Sequence, residues 1–175
     1  MVPAIETARL RLRGFTAADL PQFEAMLGDP QVMRHIGGRA LSREESWRRI
    51  ACNHGLWALV GYGYWVVERK DDGVILGQIG FADFKRAMTP SIEGLPEMGW
   101  VLGAHAHGQG FATEAVRAGL DWADANLSGQ DVVAIIAPDN EPSIRVAEKV
   151  GFGDPCPAEY HGEPIILFRR PSRQV

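Results

Sequence analysis

Apolar and polar residues alternate along Thr7–Phe15, where Leu10 and Leu12 are separated by Arg9, Arg11 and Arg13. A two-residue period of this kind predicts a half-buried strand, with the three arginines on the solvated face of a sheet edge. The period then lengthens. Thr16 precedes a segment in which Leu20, Phe23, Met26 and Leu27 share one helical face, and Ser42 with Glu45 forms a capping box ahead of Trp47, Ile50, Ala51 and Leu56. Between them DPQVMRHIGG reads as a short helical turn closed by Gly37 and Gly38. Strand patterns return in YGYWVVERK and VILGQIGFADF, joined by the hairpin signal DDG, and PEMGWVLG is a fourth strand. A helix with Ala112, Ala115, Val116, Gly119, Leu120 and Ala123 on one face follows, then DVVAIIAP, whose near-continuous β-branched run suits a strand covered on both faces. EPSIRVAEKVGF is a helix stopped at Gly151, and PIILFRRP is the last strand. The order predicts an α/β (α+β) fold: a mixed, mostly antiparallel central sheet of six to seven strands flanked by helices, with one βαβ crossover in the second half.

Composition narrows the picture modestly. The 175 residues suit a single domain spanning 1–175, and the Pro/Gly-rich MTPSIEGLPEMG reads as a loop inside it. A net charge of −4 argues against nucleic acid, whose binding needs dense positive charge to displace counterions. Cys52, expected buried in its helix, and Cys156, expected in a loop, form no CxxC, and no histidine pair has metal-ligand spacing, so neither a disulfide framework nor a metal site is expected. The first residues, MVPAIETARLRLRGF, hold no uninterrupted apolar run, and nothing approaches the ~18 apolar residues of a membrane span. The expectation is a cytoplasmic chain without membrane contact. Trp57, Trp65, Trp100 and Trp122 stand in apolar surroundings and are expected in the core.

The chemistry concentrates in HAHGQGFATEA. Gly108 and Gly110 stand at the mouth of the helix that buries Ala115 and Val116. A dinucleotide fingerprint would need a third glycine where Thr113 stands and an acid after the next strand, and a nucleotide-triphosphate loop would need G-K-[ST]; both fail. What survives is a general anion site, in which backbone N–H groups from Gly108 to Thr113 converge at a helix N-terminus and bare glycines admit the anion. A glycine-rich turn without a ligand has the same sequence.

The surrounding residues carry a resemblance. HGQGFATEA resembles motif A of the GNAT acyltransferase superfamily, Q/R-x-x-G-x-G/A, and APDNEPSIRVAEKVGF resembles its motif B, N-x-x-[AS] with Gly-Phe closing the helix. TARLRLRGFTAADL is similar to the start of the RimJ/RimL-like branch, so the resemblance spans residues 6 to 170. It implies an N-acetyltransferase, with acetyl-CoA as donor and a primary amine, a protein N-terminus or a small molecule, as acceptor by direct transfer. A non-catalytic acyl-CoA-binding sensor or assembly module on the same scaffold is the alternative, and the chain is expected as monomer or homodimer. The cofactor-binding positions implied are the strand residues Trp100, Val101 and Leu102, the loop residues His107, Gly108, Gln109, Gly110, Phe111, Ala112 and Thr113, and Asn140 with Ser143. Glu97 is implied as the base, acting through water, with Glu93 or solvent as alternatives. Ser143 is implied as acid or thiol contact. His35 and Trp47 are candidates for lining the acceptor pocket. The chain departs from the family pattern twice: His107 opens motif A in place of Gln or Arg, and Ala147 stands where many members place a general-acid tyrosine.

Overall fold

The computed structural model describes residues 1–127 and 129–172. Its strands are β1 (Ile5–Glu6), β2 (Leu10–Arg13), β3 (Tyr64–Arg69), β4 (Ile75–Ala82), β5 (Met88–Thr89), β6 (Glu97–Leu102), β7 (Val132–Ile136), β8 (Gly153–Tyr160) and β9 (Glu163–Arg170). Its helices are α1 (Leu20–Leu27), α2 (Pro30–Met33), α3 (Arg43–Val60), α4 (Phe111–Asn126) and α5 (Glu141–Lys149). All the strands join one sheet in the order β1-β2-β3-β4-β6-β7-β9-β8-β5. Among the described residues only β6 and β7 pair in parallel, and α4 connects them, which is the expected βαβ crossover.

The sheet has nine strands among the described residues, not six to seven. Two of the extra strands, β1 and β5, are two residues long, too short to leave a period in the sequence. The third, β8, carries Pro155 and Pro157 and is largely exposed, so nothing alternates along it. Its partner β9 and the two-residue turn His161–Gly162, both at positive φ, hold it in place. A further correction concerns the arginines of β2. That strand is not an edge, since β1 and β3 flank it, and Arg13 is half-buried between Asp19 (Nη2 to Oδ1, 2.8 Å) and Glu68 (Nε to Oε2, 2.7 Å). Cys52 is exposed on α3 instead of buried, and Cys156 lies in β8 instead of a loop.

Alternation along β3 divides the interior. Tyr64 and Val66 face a core shared with Phe23, Leu27, Ile50 and Leu56 of α1 and α3, while Trp65 and Val67 face a core shared with Ala115, Val116 and Leu120 of α4. The tryptophans expected inside largely are. Trp65 is fully buried, with Trp57 and Trp122 edge-on at 4.7 and 5.2 Å, and Trp100 packs toward Phe152. β6 therefore has helices α1–α3 over one face and α4–α5 over the other, and the site forms at its C-terminal end.

Candidate active site

The parallel ladder between β6 and β7 is a single pair, Glu97 opposite Val133, with Val133 N–H donating to the Pro96 carbonyl at 3.1 Å. β6 continues to Leu102 against β4, and β7 continues to Ile136 against β9. Gly103, the residue after Leu102, donates its N–H to the carbonyl of Leu76 in β4, so odd-numbered residues of β6 bond β4 and even-numbered ones point their amides toward β7. Beyond the single pair, the Trp100 N–H and C=O consequently open into a gap between the strands.

At the end of that gap lies the glycine loop. Gly108 (φ +72°) and Gly110 (φ +78°) are both left-handed, a conformation that suits glycine, and Gly110 is the N-cap of α4 with no side chain capping it. A Cβ on Gly108 would meet nothing within 4 Å, and one on Gly110 would meet only Arg9 Nη2 at 3.6 Å. The first amides of α4 thus face open space with the positive end of the helix dipole behind them. His107 ties the loop to the strand: its Nε2 lies 2.9 Å from the Leu102 carbonyl, which can only accept, so that nitrogen carries the proton. Gln109 donates to the His105 carbonyl at 2.8 Å. Phe111 is buried, so its side chain serves the core and only its amide is available to the loop.

Arg9 was missed by sequence reasoning, because its loop partners lie a hundred residues away. Its Nη1 donates to the Gln109 carbonyl at 3.0 Å, its Nε to Glu114 Oε2 at 2.7 Å, and its guanidinium stacks 4.3 Å over the Phe111 ring. Glu114 also accepts from the Thr7 hydroxyl at 2.6 Å and the Arg9 amide at 3.0 Å. Burial works against the Glu114 carboxylate, yet these donors hold its pKa below the ordinary range. An open groove of about 550 Å³ runs beside the loop, presenting Arg9, Arg117 and Lys149 together with Glu114 and Asp121.

On the β7 side, Asn140 caps α5, its Oδ1 accepting from the Ser143 N–H at 3.3 Å, and this sets the Ser143 hydroxyl in the first turn. His35, just past α2, reaches the same loop, with Nδ1 3.2 Å from Asp139 Oδ1. The structure therefore brings His35 next to Asn140. Trp47 is 43% exposed on α3 and lies about 100° around the helix from the buried Ser46, off the face that covers the sheet.

The α1–α3 face of β6 holds the acid. Glu97 is 5% exposed, and Arg86 grips it bidentately, Nε to Oε2 at 2.6 Å and Nη2 to Oε1 at 2.9 Å. Arg86 in turn sits between the Phe84 and Tyr160 rings, each centroid 4.8 Å from Cζ. Burial opposes the charge on Arg86, but Glu97 and then Tyr160 hold its pKa above the ordinary value. Glu93 is exposed in the preceding loop, 3.7 Å from Lys85. Tyr64, Gly80 and Gly99 lie opposite one another across β3, β4 and β6, so the Tyr64 side chain runs along a bare stripe of sheet until its hydroxyl reaches Gly99. Burial, then the Glu97 carboxylate, push that hydroxyl's pKa well up, so it remains a protonated donor. Neither Tyr64 nor Arg86 was picked out from the sequence. Only the strand register aligns Tyr64, Gly80 and Gly99.

Comparison with known proteins agrees with this geometry. A family model for the GNAT acetyltransferase domain matches residues 9–153. The Bacillus subtilis protein YkkB, itself uncharacterized, is 32% identical over 171 residues, covering 95% of this chain and 94% of YkkB. The crystal structure of an acetyltransferase from Agrobacterium tumefaciens superposes with a TM-score of 0.82 at 27% identity, covering 99% of this chain and 96% of that one. RimL, a ribosomal L7/L12 α-N-protein acetyltransferase solved in complex with coenzyme A, shares the fold with a TM-score of 0.75 at 15% identity, over 97% and 98% of the two chains. The chain belongs to the GNAT acetyltransferase family.

Proposed function

We propose that this protein acetylates a primary amine with acetyl-CoA by direct transfer, and that it lies in the RimJ/RimL-like branch. One arrangement carries the reading: an uncapped helix N-terminus behind two left-handed glycines, opening into the β6–β7 gap, with a buried carboxylate on the same strand. The residues fit the cofactor. Gly108 and Gly110 leave room for phosphate where side chains would stand, and Arg9, Arg117 and Lys149 line the adjoining groove. When bound, acetyl-CoA supplies an activated acyl thioester.

The amides from Gly108 to Thr113 bind the pyrophosphate in this reading, and His107 keeps their loop against β6. The Trp100 N–H is the donor left free in the gap, placed to polarise a carbonyl there. Asn140 and Ser143 line the opposite wall, where the Ser143 hydroxyl is the nearest replacement for the tyrosine lost at Ala147. Glu97 is the base. Each of its oxygens receives one Arg86 N–H and keeps a second lone pair with which to take the ammonium proton, directly or through water. His35, held at Asp139, stands at the acceptor entrance.

Binding comes first in the test. Acetyl-CoA at a hundredfold excess over Kd should stabilise the protein by about 2.7 kcal/mol, while NAD and ATP at equal concentration do much less. Free thiol should then appear when acetyl-CoA is mixed with a panel of amines and N-terminal peptides. Binding without transfer to any acceptor would leave a cofactor-sensing module and sink the catalytic reading.

A further inference from the structure

Arg49 stands one turn beyond Ser46 on α3. Its Nη1 is buried with no hydrogen-bond partner, and among the described residues no carboxylate lies within ion-pair distance of its guanidinium. Its electrostatic neighbours are Tyr64, Cys52 and a second cation, Arg86. The acid of this cluster, Glu97, is already paired with Arg86, one N–H to each oxygen. Ser46, fully buried, also leaves its hydroxyl unpartnered, and residues three apart on a helix are neighbours. Burying part of a cation without a counter-ion is costly, and an unsatisfied buried group in a native protein calls for an explanation, a bound anion among them.

The position gives that partner a chemistry. α3 covers the face of the sheet that carries Glu97 and Gly99, and the Tyr64 ring spans from the neighbourhood of Arg49 to Gly99. The charged groups that act on the Tyr64 hydroxyl are two cations, Arg86 and Arg49, and one acid, Glu97. A polycationic acceptor would meet repulsion, whereas an amine that also carries a negative group would direct its nitrogen to Glu97 and its charge to the unpartnered guanidinium. We infer that Arg49 anchors an oxyanion on the acceptor, in the simplest case the carboxylate of a free amino acid. This rests on the acetyltransferase reading and adds the acceptor class to it.

The test compares matched probes: free L-amino acids against their descarboxy amines, O-phosphoethanolamine against ethanolamine, and short peptides with the same first residues. With acetyl-CoA, the anionic member of each small pair should be preferred by at least about 100-fold in kcat/KM, carboxylate and phosphate arms telling which oxyanion is taken. Arg49→Met should reduce the preference to a few-fold, mainly through KM, with CoA affinity by calorimetry unchanged. Arg49→Lys should keep part of it. A readout without acyl donor runs in parallel: saturating amino acid should raise the Tm of the parent protein and leave that of Arg49→Met unmoved. Equal rates within the pairs, a preference that survives Arg49→Met, faster transfer to peptides, or no Tm response would each overturn the inference. Lack of CoA binding would instead fail the acetyltransferase reading, and the donor-free Tm response still decides the role of Arg49.

Discussion

Replacing Gly99 by alanine is a sharp test of the packing of Tyr64 over the β6 face that carries Glu97. At an ordinary strand position the change stabilises by about 0.4–1 kcal/mol, because alanine has less freedom to lose. Here the new methyl would overlap the Tyr64 hydroxyl oxygen, with Cζ only 3.3 Å away. The ring has little lateral room, since its Cγ lies 2.8 Å from where a Cβ on Gly80 would stand and α3 covers its outer side. Overpacking of this sort costs about 1–3 kcal/mol, so the sign reverses and Gly99→Ala destabilises. Tyr64→Phe deletes the one atom in conflict and leaves a contact that a few tenths of an ångström relieves. Alone it should cost within about 1 kcal/mol. The double variant should therefore be more stable than additivity allows, by at least about 1 kcal/mol. Urea unfolding followed by far-UV circular dichroism, with constant m, measures all four corners of the cycle. Additivity within about 0.5 kcal/mol, or a stabilised Gly99→Ala, would refute the placement of the tyrosine over the glycine stripe.

Other outcomes follow from the same structure. Gly110→Asp should weaken CoA binding at least about 100-fold, by left-handed strain plus like charge beside phosphate, even with Arg9 nearby to soften it; calorimetric binding equal to the parent's would make these glycines mere chain turns. Glu97→Gln should lower turnover by roughly 10²–10⁴-fold with CoA affinity retained, and an unaffected rate across a pH series would pass the role to Glu93 or solvent. Asp19 sets an acid limb. Burial disfavours its charge, but Arg13 and the Thr16 amide hold its pKa below the ordinary carboxyl value. The folded state therefore binds this proton less readily than the unfolded one, so its contribution is full above pH ~4 and is lost as pH falls through the lower folded value. Asp19→Asn should cost about 2 kcal/mol at neutral pH and flatten that limb; an acid limb of unchanged steepness would count against it.

The glycine loop and the cap of α5 were readable because they are local in sequence. The run from His107 to Thr113 offers consecutive backbone amides, and Asn140 with Ser143 sits three residues apart on one helical turn, so chain order alone brings these groups together. The hydrophobic periods likewise predicted every strand and helix long enough to show one. The short strands β1 and β5 and the proline-bearing β8 escaped, because pairing rather than propensity holds them in the sheet. The face of β6 that carries Glu97 was not readable, and the reason is register. The sequence offered Glu97 as a base by resemblance alone, and only the fold placed Arg86, eleven residues earlier, across both of its oxygens. Tyr64, Gly80 and Gly99 become one surface only when three strands align, and Arg9 meets Glu114 only after β2 and α4 pack together. By itself the sequence determined the periodicities, the glycine loop and the caps, which depend on neighbours along the chain. Tertiary structure decided which charges are paired and which, like Arg49, are left open, because ion pairing depends on distances of a few ångströms between segments whose separation no local pattern encodes.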